Sequence, residues 1–472
     1  MLRDTAQPQI SRMAFNILPI ELNQGIASFI ADDRDLCAFR SICSATRNAI
    51  DGDKFSFWRS RFREHFDLVK GVEAEKLRRR YQHRMRHMRH NDTTRFSKGS
   101  ERQSKSLLNI VKDLILESFN GDSKDVHGRP MSKNLQHLQR LALHGDIVKM
   151  FRPASKHLPM DEVRESPLLE VLQLVLSHLS LNFQMDAPEV HCFEASQKMT
   201  YASVEAEPIF KASGAVNYTW LRHTVNFFKY HFTQCADRNS LLPHFLADLN
   251  EDELPSAWTD KLVDEVVALD RFWKGTYAYQ DMSDLREMRA SDDGLQGQSD
   301  GHLADEDMKD PIQTLALDFA QAGDRDLFWP IAFEDHLNAA FQTKRQKSRR
   351  AQLRSNGSRS VPSINGLYFQ GRGTDDEEFL SAGWLNQLPT QQGIPGWKRM
   401  TMMKYYRCED TGAVDVDALW AYEGIVLPGN KIILGRWWAP GSDLDGQSYS
   451  GPFILWNVAP PKSERADSVM EG

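Results

Sequence analysis

The chain has 472 residues, 41% of them hydrophobic, and carries a net charge of −7. This length allows two or three domains with sizeable cores, and the negative charge disfavours a general nucleic-acid binder. No run approaches the ~20 apolar residues of a membrane span, so we expect neither a membrane nor a specific nucleic acid as partner.

The cysteines predict no disulfide framework and no structural zinc site, because no two of them have CxxC spacing. Residues 1–10 also lack the apolar run of a signal peptide. We therefore expect a reducing compartment, the cytoplasm or the nucleus or both. The five cysteines are Cys37, Cys43, Cys192, Cys235 and Cys408.

Three short amphipathic segments are predicted between residues 18 and 62. Helices of this length are too short to be stable alone, and they carry more large apolar side chains than so small a unit can bury. Such a surplus marks a partner surface, so we expect a helical module that completes its core on another protein. The apolar positions are Leu18, Leu22, Ile26 and Ile30 in the first segment, Leu36, Phe39 and Cys43 in the second, and Phe55, Trp58 and Phe62 in the third.

The stretch Leu18-Pro19-Ile20-Glu21-Leu22, followed by Asp35-Leu36, Cys43 and Trp58, resembles the F-box. That motif docks onto the Skp-type adaptor of cullin-based ubiquitin ligases. The alternative is an ordinary helical cap that folds on its own domain. The adaptor-binding residues that the resemblance implies are Leu18, Pro19, Leu22, Ile26, Ile30, Leu36, Phe39, Cys43 and Trp58.

Residues 66–260 are predicted to form a helical linker and middle domain, because apolar residues recur at helical spacing near 107–119, 135–143, 167–181 and 218–232. His83, His87 and His90 share one helical face, as metal ligands do. The arginines among them oppose a dication, so we predict a solvated basic helix and no metal site. Such a basic run is also compatible with a nuclear-localisation signal.

Residues 261–460 carry the strongest β pattern. Aromatic-rich strands recur at short intervals, and the turn Pro428-Gly429 joins the strands 420–427 and 432–438. A β-barrel or strongly bent sheet is the expected architecture. We predict flexible insertions near 291–310 and 344–360 and a disordered tail at 461–472. The expected fold class is therefore α+β: a three-helix F-box at 1–65, a helical middle region and a C-terminal β-barrel-like domain.

This β-rich part is similar to the C-terminal region of filamentous-fungal F-box proteins. The similarity implies a substrate-receptor role without naming a substrate. The stretches that carry it are Gly275-Thr276-Tyr277, Gly393-Ile394-Pro395-Gly396-Trp397, Tyr422-Glu423-Gly424, Gly435-Arg436-Trp437-Trp438 and Ser450-Gly451-Pro452-Phe453.

The sequence contains neither a phosphate-binding loop nor a nucleophile elbow. Gly371 and Gly373 are two glycines without the rest of a dinucleotide fingerprint, and the acids at 375–378 are typical of a solvated face. We therefore expect a protein that is not an enzyme and that has no cofactor and no catalytic or metal-binding residues.

The candidate substrate-binding residues are Arg436, Trp437, Trp438 and Tyr422. Arginine beside large aromatic side chains is enriched in binding hot spots. Neighbours on a strand face opposite ways, so one of the two tryptophans is expected inside the barrel and the other outside or at its rim. The alternatives are plain packing of these side chains and a structural pairing of Arg436 with Glu423.

Two functions remain open. The first is the substrate-recognition subunit of an SCF-type ubiquitin ligase, whose partners are the Skp-type adaptor, the cullin scaffold and a protein to be ubiquitinated. The second is a small-molecule carrier or sensor with the barrel as its pocket. A filled barrel and an exposed stripe of Leu18, Leu22 and Trp58 favour the first; an open cavity and a self-buried stripe favour the second.

Overall fold

The computed structural model describes residues 15–88, 101–144, 147, 151, 166–181, 190–204, 206–211, 215–233, 242–290, 312–320, 327–333, 337, 366–439 and 449–461. The predicted insertions at 291–310 and 344–360 lie outside this part of the chain, as do His90 and residues 462–472. The chain divides into two compact units, and we describe each by itself. The first comprises residues 1–140 and 259–261, and the second comprises residues 141–258 and 262–472.

The first unit is helical. Asp32 caps the second helix through a hydrogen bond from the Arg34 backbone N–H, 2.7 Å long. Left-handed backbone at Lys54 and Phe55 separates the third helix from the fourth. The helices are α1 (Ile20–Ser28), α2 (Asp33–Arg40), α3 (Ser44–Asp51), α4 (Ser56–His65), α5 (Ala74–Met88), α6 (Glu101–Glu117) and α7 (Lys133–His144), with a 3-10 turn at Asp53–Phe55.

Two features of this unit differ from the sequence prediction. Helix α3 lies between the predicted second and third segments. The unit also continues to residue 140 instead of ending at 65, because Asp67 ties the chain after α4 to the start of α7. Its carboxylate accepts hydrogen bonds from the Phe119 N–H, the Ser132 hydroxyl and the Lys133 N–H.

Helix α5 is not the fully solvated basic helix that the sequence predicts. Leu77 and Tyr81 are buried, and so is Arg84, which pairs with Glu117 at 2.7 Å. One face of the basic run therefore belongs to the core of the unit.

The second unit combines helices with a barrel. The buried helix α10 packs against α8, α9 and strand β7, so the helices of residues 167–247 belong with the barrel instead of forming a separate middle domain. The helices of this unit are α8 (Pro167–Ser180), α9 (Phe193–Thr200), α10 (Tyr218–Thr233), α11 (Leu242–Ala247) and α12 (Met282–Ala290).

Eight antiparallel strands within the described residues form a closed barrel, in which each strand pairs with its sequence neighbours and β8 pairs with β1. The prediction of a mixed α and β chain with a β-barrel is thereby confirmed. The strands are β1 (Phe272–Tyr277), β2 (Gln313–Phe319), β3 (Gly366–Thr374), β4 (Glu378–Gln387), β5 (Lys398–Tyr405), β6 (Trp420–Val426), β7 (Ile432–Trp438) and β8 (Ser450–Asn457).

The predicted turn at Pro428-Gly429 joins β6 to β7. The Asn430 N–H donates to the Leu427 carbonyl at 3.1 Å, and Gly429 has a φ of +99°, which a type II turn requires at its third position.

The barrel interior is filled by side chains. Phe453 lies over Gly435, where an added Cβ would approach the Phe453 ring to 2.5 Å. A side chain at this position would displace the ring, so the glycine makes room for the aromatic packing. The buried interior cluster comprises Leu269, Trp273, Leu315, Leu317, Phe369, Phe379, Leu385, Met400, Met402, Tyr422, Val426, Ile433, Trp437, Phe453 and Leu455.

Candidate partner-binding surface

Helix α1 exposes an apolar stripe to solvent. Leu22, Ile26 and Phe29 stand at i, i+4 and i+7, which places them on one helical face, and they are 55%, 39% and 90% exposed. Asn23 and Ala27 occupy another face and are buried. We call Leu22, Ile26 and Phe29 the Leu22 ridge.

Side-chain hydrogen bonds fix the rotation of α1. The Asn23 amide donates to the carbonyls of Phe15 at 3.0 Å and Leu18 at 3.3 Å. The Gln24 amide donates to the Ala49 carbonyl at 3.0 Å, which ties α1 to α3. Because Asn23 and Gln24 are held against the unit, the Leu22 ridge faces away from it.

The structure divides the predicted adaptor-binding residues into three groups. Leu22, Ile26 and Pro19 are exposed, and Leu18, Ile30 and Cys43 are half-buried. Leu36, Phe39 and Trp58 are buried inside the unit.

The buried group packs inside the module and contributes little to its exposed surface. Phe39 makes an edge-to-face contact with Phe15, with ring centroids 5.3 Å apart. The Trp58 indole N–H donates to Asp51 at 3.3 Å. The assignment of Leu36, Phe39 and Trp58 to the docking surface is therefore corrected, because helical spacing alone does not say against which chain a face is buried.

Asp51 joins three elements of the module. Its carboxylate accepts hydrogen bonds from Arg40, Trp58 and Arg78. Burial by itself would raise the pKa of Asp51, but the hydrogen bonds from Arg40 and Trp58 and the charges of Arg40 and Arg78 outweigh it and lower this pKa. Asp51, at the end of α3, is thus an ionised link to α2, α4 and α5.

Arg61 closes the end of α1. Its guanidinium donates to the carbonyls of Ile30 at 2.9 Å and Ala31 at 3.0 Å. It also donates to the Tyr81 hydroxyl, which in turn donates to Asp33. Burial raises the pKa of Tyr81 to about 12, so the phenol stays protonated as a donor. This network holds the ridge-bearing helix on α4 and α5.

A groove of about 870 Å³ lies in the first unit. Residues of α2 and α5 line it, together with Trp58. The amino-acid pattern does not predict this groove, because its walls are far apart in the chain and no single segment carries a signal for it. Its lining includes Asp33, Leu36, Cys37, Tyr81, Met85 and Arg86.

The four predicted substrate-binding residues are all buried in the second unit. Trp437 and Tyr422 belong to the interior of the barrel, whereas Trp438 packs in a cluster with Tyr368 and Trp384. The prediction that the two adjacent tryptophans lie on opposite sides of the wall is confirmed. The role of the four residues in substrate binding stays a prediction.

Arg436 lies on the outer side of the wall, beneath α10. Its guanidinium is 4.9 Å from the centre of the Trp220 ring and donates to the Glu207 carbonyl at 3.2 Å. It stands opposite Glu423 in the register of β6 and β7, which is the structural alternative that the sequence left open. Its neighbours therefore make it a packing residue.

Glu423 is fully buried and accepts a hydrogen bond from Arg399 at 2.5 Å. Burial raises the pKa of Glu423, and the charges of Arg399 and Arg436 oppose that rise. This group belongs to the packing between the barrel and its helices.

His83 and His87 both contact the Ser106 hydroxyl, at 3.1 Å and 3.0 Å. Within the described residues, no three His, Cys, Asp or Glu side chains are grouped as a metal ion would need. No helix in this part of the chain combines the length and apolar character that crossing a bilayer requires.

Comparison of the chain with models of protein families, with curated proteins and with solved structures finds no match.

Proposed function

We propose that this chain is the substrate-recognition subunit of an SCF-type ubiquitin ligase. In this proposal the first unit binds the Skp-type adaptor, which links it to the cullin scaffold, and the barrel unit holds a target protein. The observation that carries the proposal is the Leu22 ridge, which lies on the helix that follows the F-box-like Leu18-Pro19 pair.

The exposure of the ridge supports a partner. Full burial of a side chain of this kind contributes about 1.5–3 kcal/mol, and three of them on one helical face are left in water. Ile17, 79% exposed, adds a further exposed apolar side chain shortly before α1. A helix held by Asn23 and Gln24 presents this surface without rearrangement, which lowers the cost of binding.

The proposed subunit acts by proximity. Holding a target near the conjugating enzyme raises the effective concentration of its lysines, so no acid, base or nucleophile of this chain takes part.

The alternative, a carrier with the barrel as its pocket, has less support. A ligand site needs an open interior, whereas aromatic and aliphatic side chains fill this one.

A pulldown with a recombinant Skp-type adaptor tests the proposal. We expect Leu22→Asp combined with Phe29→Asp to abolish binding, because two charges would be buried in an apolar interface. Val126→Asp is the matched control, since Val126 is 94% exposed and lies in the same unit, between α6 and α7. Binding that survives the double substitution, or that is lost equally in the control, would contradict the proposed docking surface.

A further inference from the structure

Half-buried aromatic side chains gather at the end of the barrel where β1, β3, β5 and β7 finish. Trp437 lies at their centre, with the ring centroids of Tyr449, Trp420 and Tyr277 at 5.3, 5.4 and 6.1 Å. Tyr406 packs against the same interior cluster. The four surrounding rings are half-buried, whereas Trp437 is buried. We call Tyr277, Tyr406, Trp420, Trp437 and Tyr449 the aromatic platform.

A cation already lies among aromatic rings at this end. The Lys404 ammonium is 4.4 Å from the centre of the Phe379 ring and 5.7 Å from those of Tyr277 and Tyr406. Its side chain is 5% exposed and pairs with Asp375, which is 4% exposed. The spacing of the rings therefore suits a cation. Asp375 neutralises the charge of the Lys404 ammonium.

Two buried polar groups near this ion pair have no hydrogen-bond partner among the described residues: the Ser381 hydroxyl and the Gln313 amide nitrogen. Both side chains point inward, because they alternate with interior residues of β4 and β2. Ser381 pairs with Lys404 in the strand register. Since buried polar groups are normally hydrogen-bonded, this layer has hydrogen-bonding capacity that the described side chains do not use.

The described loops at this end are acidic. The turn between β3 and β4 and the loop between β5 and β6 carry one exposed basic side chain, Arg407, against a larger set of acids. Near helix α12, Asp281, Asp284 and Glu287 stand against Arg286 and Arg289. Burial and the charges of Asp375, Glu377 and Asp376 raise the pKa of Tyr406 to about 12, so this negative field reaches the platform. The acids of the two loops are Asp375, Asp376, Glu377, Glu378, Glu409, Asp410, Asp415 and Asp417.

We propose that the aromatic platform binds a basic segment of a partner protein, with a lysine or arginine side chain lying over the rings and the acidic loops facing its remaining charges. Arginine and lysine stack on aromatic faces, and the charge of the rim complements such a segment. This proposal rests on the proposed function, because it takes the partner to be a ligase target. It adds the chemistry by which that target would be recognised.

Fluorescence anisotropy with the full chain tests this inference. The probe is a labelled peptide in which arginine alternates with glycine, and the charge control has glutamate in place of arginine. We expect saturable binding of the basic peptide and none of the acidic one. Choline chloride, a small quaternary cation, should compete only weakly. Absence of basic-peptide binding, or choline binding tighter than the peptide, would overturn the proposal.

Substitutions then locate the site. Replacing three exposed acids, as Asp376→Asn, Glu377→Gln and Glu378→Gln together, should weaken peptide binding about tenfold at low salt. The matched control removes three exposed acids elsewhere: Asp248→Asn, Glu251→Gln and Glu265→Gln. Equal effects of the two triple variants would show that net charge alone attracts the peptide, against the proposal.

The platform itself is tested by Trp420→Leu, which should weaken binding about fivefold through the lost cation–π contact. Trp329→Leu, which replaces a half-buried tryptophan of the other aromatic cluster, should not. If Trp420→Leu leaves the affinity unchanged, the platform is not the site.

The adaptor pulldown separates this inference from the ligase proposal. Loss of adaptor binding with peptide binding retained would overturn the ligase assignment and, with it, the identification of the partner as a target. Failure to bind the peptide with adaptor binding retained would overturn only the inference about the platform.

Discussion

Glu423 and Arg436 face each other across β6 and β7 on the outer side of the barrel wall, where helix α10 covers them. Arg399 on β5 completes this buried charged group.

Replacing Glu423 by glutamine should destabilise the second unit by about 2 kcal/mol, because the charge that compensates the buried Arg436 guanidinium and the half-buried Arg399 guanidinium is lost. Urea unfolding followed by tryptophan fluorescence measures the effect. Glu378→Gln, at the exposed first position of β4, is the control and should leave the midpoint unchanged. Equal midpoints for the two variants would show that the buried charge is not needed.

The two kinds of apolar residue in the first unit should respond differently to truncation. Trp58→Ala removes a buried side chain that packs beside Tyr81 and should cost about 3–5 kcal/mol. Phe29→Ser removes a side chain that is 90% exposed and should change stability by less than about 0.5 kcal/mol. Circular dichroism during urea unfolding measures both. Comparable losses for the two variants would mean that Phe29 packs within the unit.

Two glycines offer a paired test of packing. Gly435→Ala places a Cβ 2.2 Å from the Glu423 carbonyl oxygen and 2.5 Å from the Phe453 ring, so it should destabilise the barrel by about 1–3 kcal/mol or more. Gly25→Ala meets no atom within 4 Å in helix α1 and should stabilise the first unit by about 0.5–1 kcal/mol. Thermal unfolding measures the change in stability of both variants. A Gly435→Ala variant as stable as the parent would contradict the tight packing of the barrel interior.

Acidification should weaken the second unit through buried histidines. Burial lowers the pKa of His178 to about 4 and that of His223 and His231 to about 3. The unfolded chain therefore takes up protons below pH 6.5 that the folded unit does not. Their contribution to stability is full above about pH 6.5 and falls as the pH drops towards 4, by up to about 1.4 kcal/mol per histidine and pH unit.

Urea midpoints at pH 7 and pH 5 measure this loss. His223→Gln should reduce the difference between the two midpoints, whereas His127→Gln, at an exposed position, should not. A midpoint difference that is the same in the parent and in His223→Gln would rule out this histidine as a source of the pH dependence.

Local patterns were enough to predict part of this fold. Alternation placed Trp437 and Trp438 on opposite sides of the wall, and Pro428-Gly429 predicted the turn between β6 and β7. The helix Ser44–Asp51 was missed. It has eight residues, and its buried positions Thr46, Ala49 and Ile50 include only one large apolar side chain.

The limits of sequence reasoning were clearest at the sites. Periodicity shows that Leu36 and Trp58 lie on apolar faces, but the same pattern suits a face packed on the chain itself and a face left for a partner. Long-range pairs such as Lys404 with Asp375 and Arg61 with the Ile30 carbonyl depend on how distant segments pack. The aromatic platform went unrecognised because it draws on the ends of five separate strands.

The pairing of β8 with β1 has a consequence for biosynthesis. Until the last strand has emerged from the ribosome, β1 and β7 each present an open row of backbone donors and acceptors, and exposed edges of this kind recruit strands from other chains. A nascent chain arrested before Ser450 is therefore expected to self-associate. Quality control of this protein during translation then depends on how quickly its final strand closes the ring.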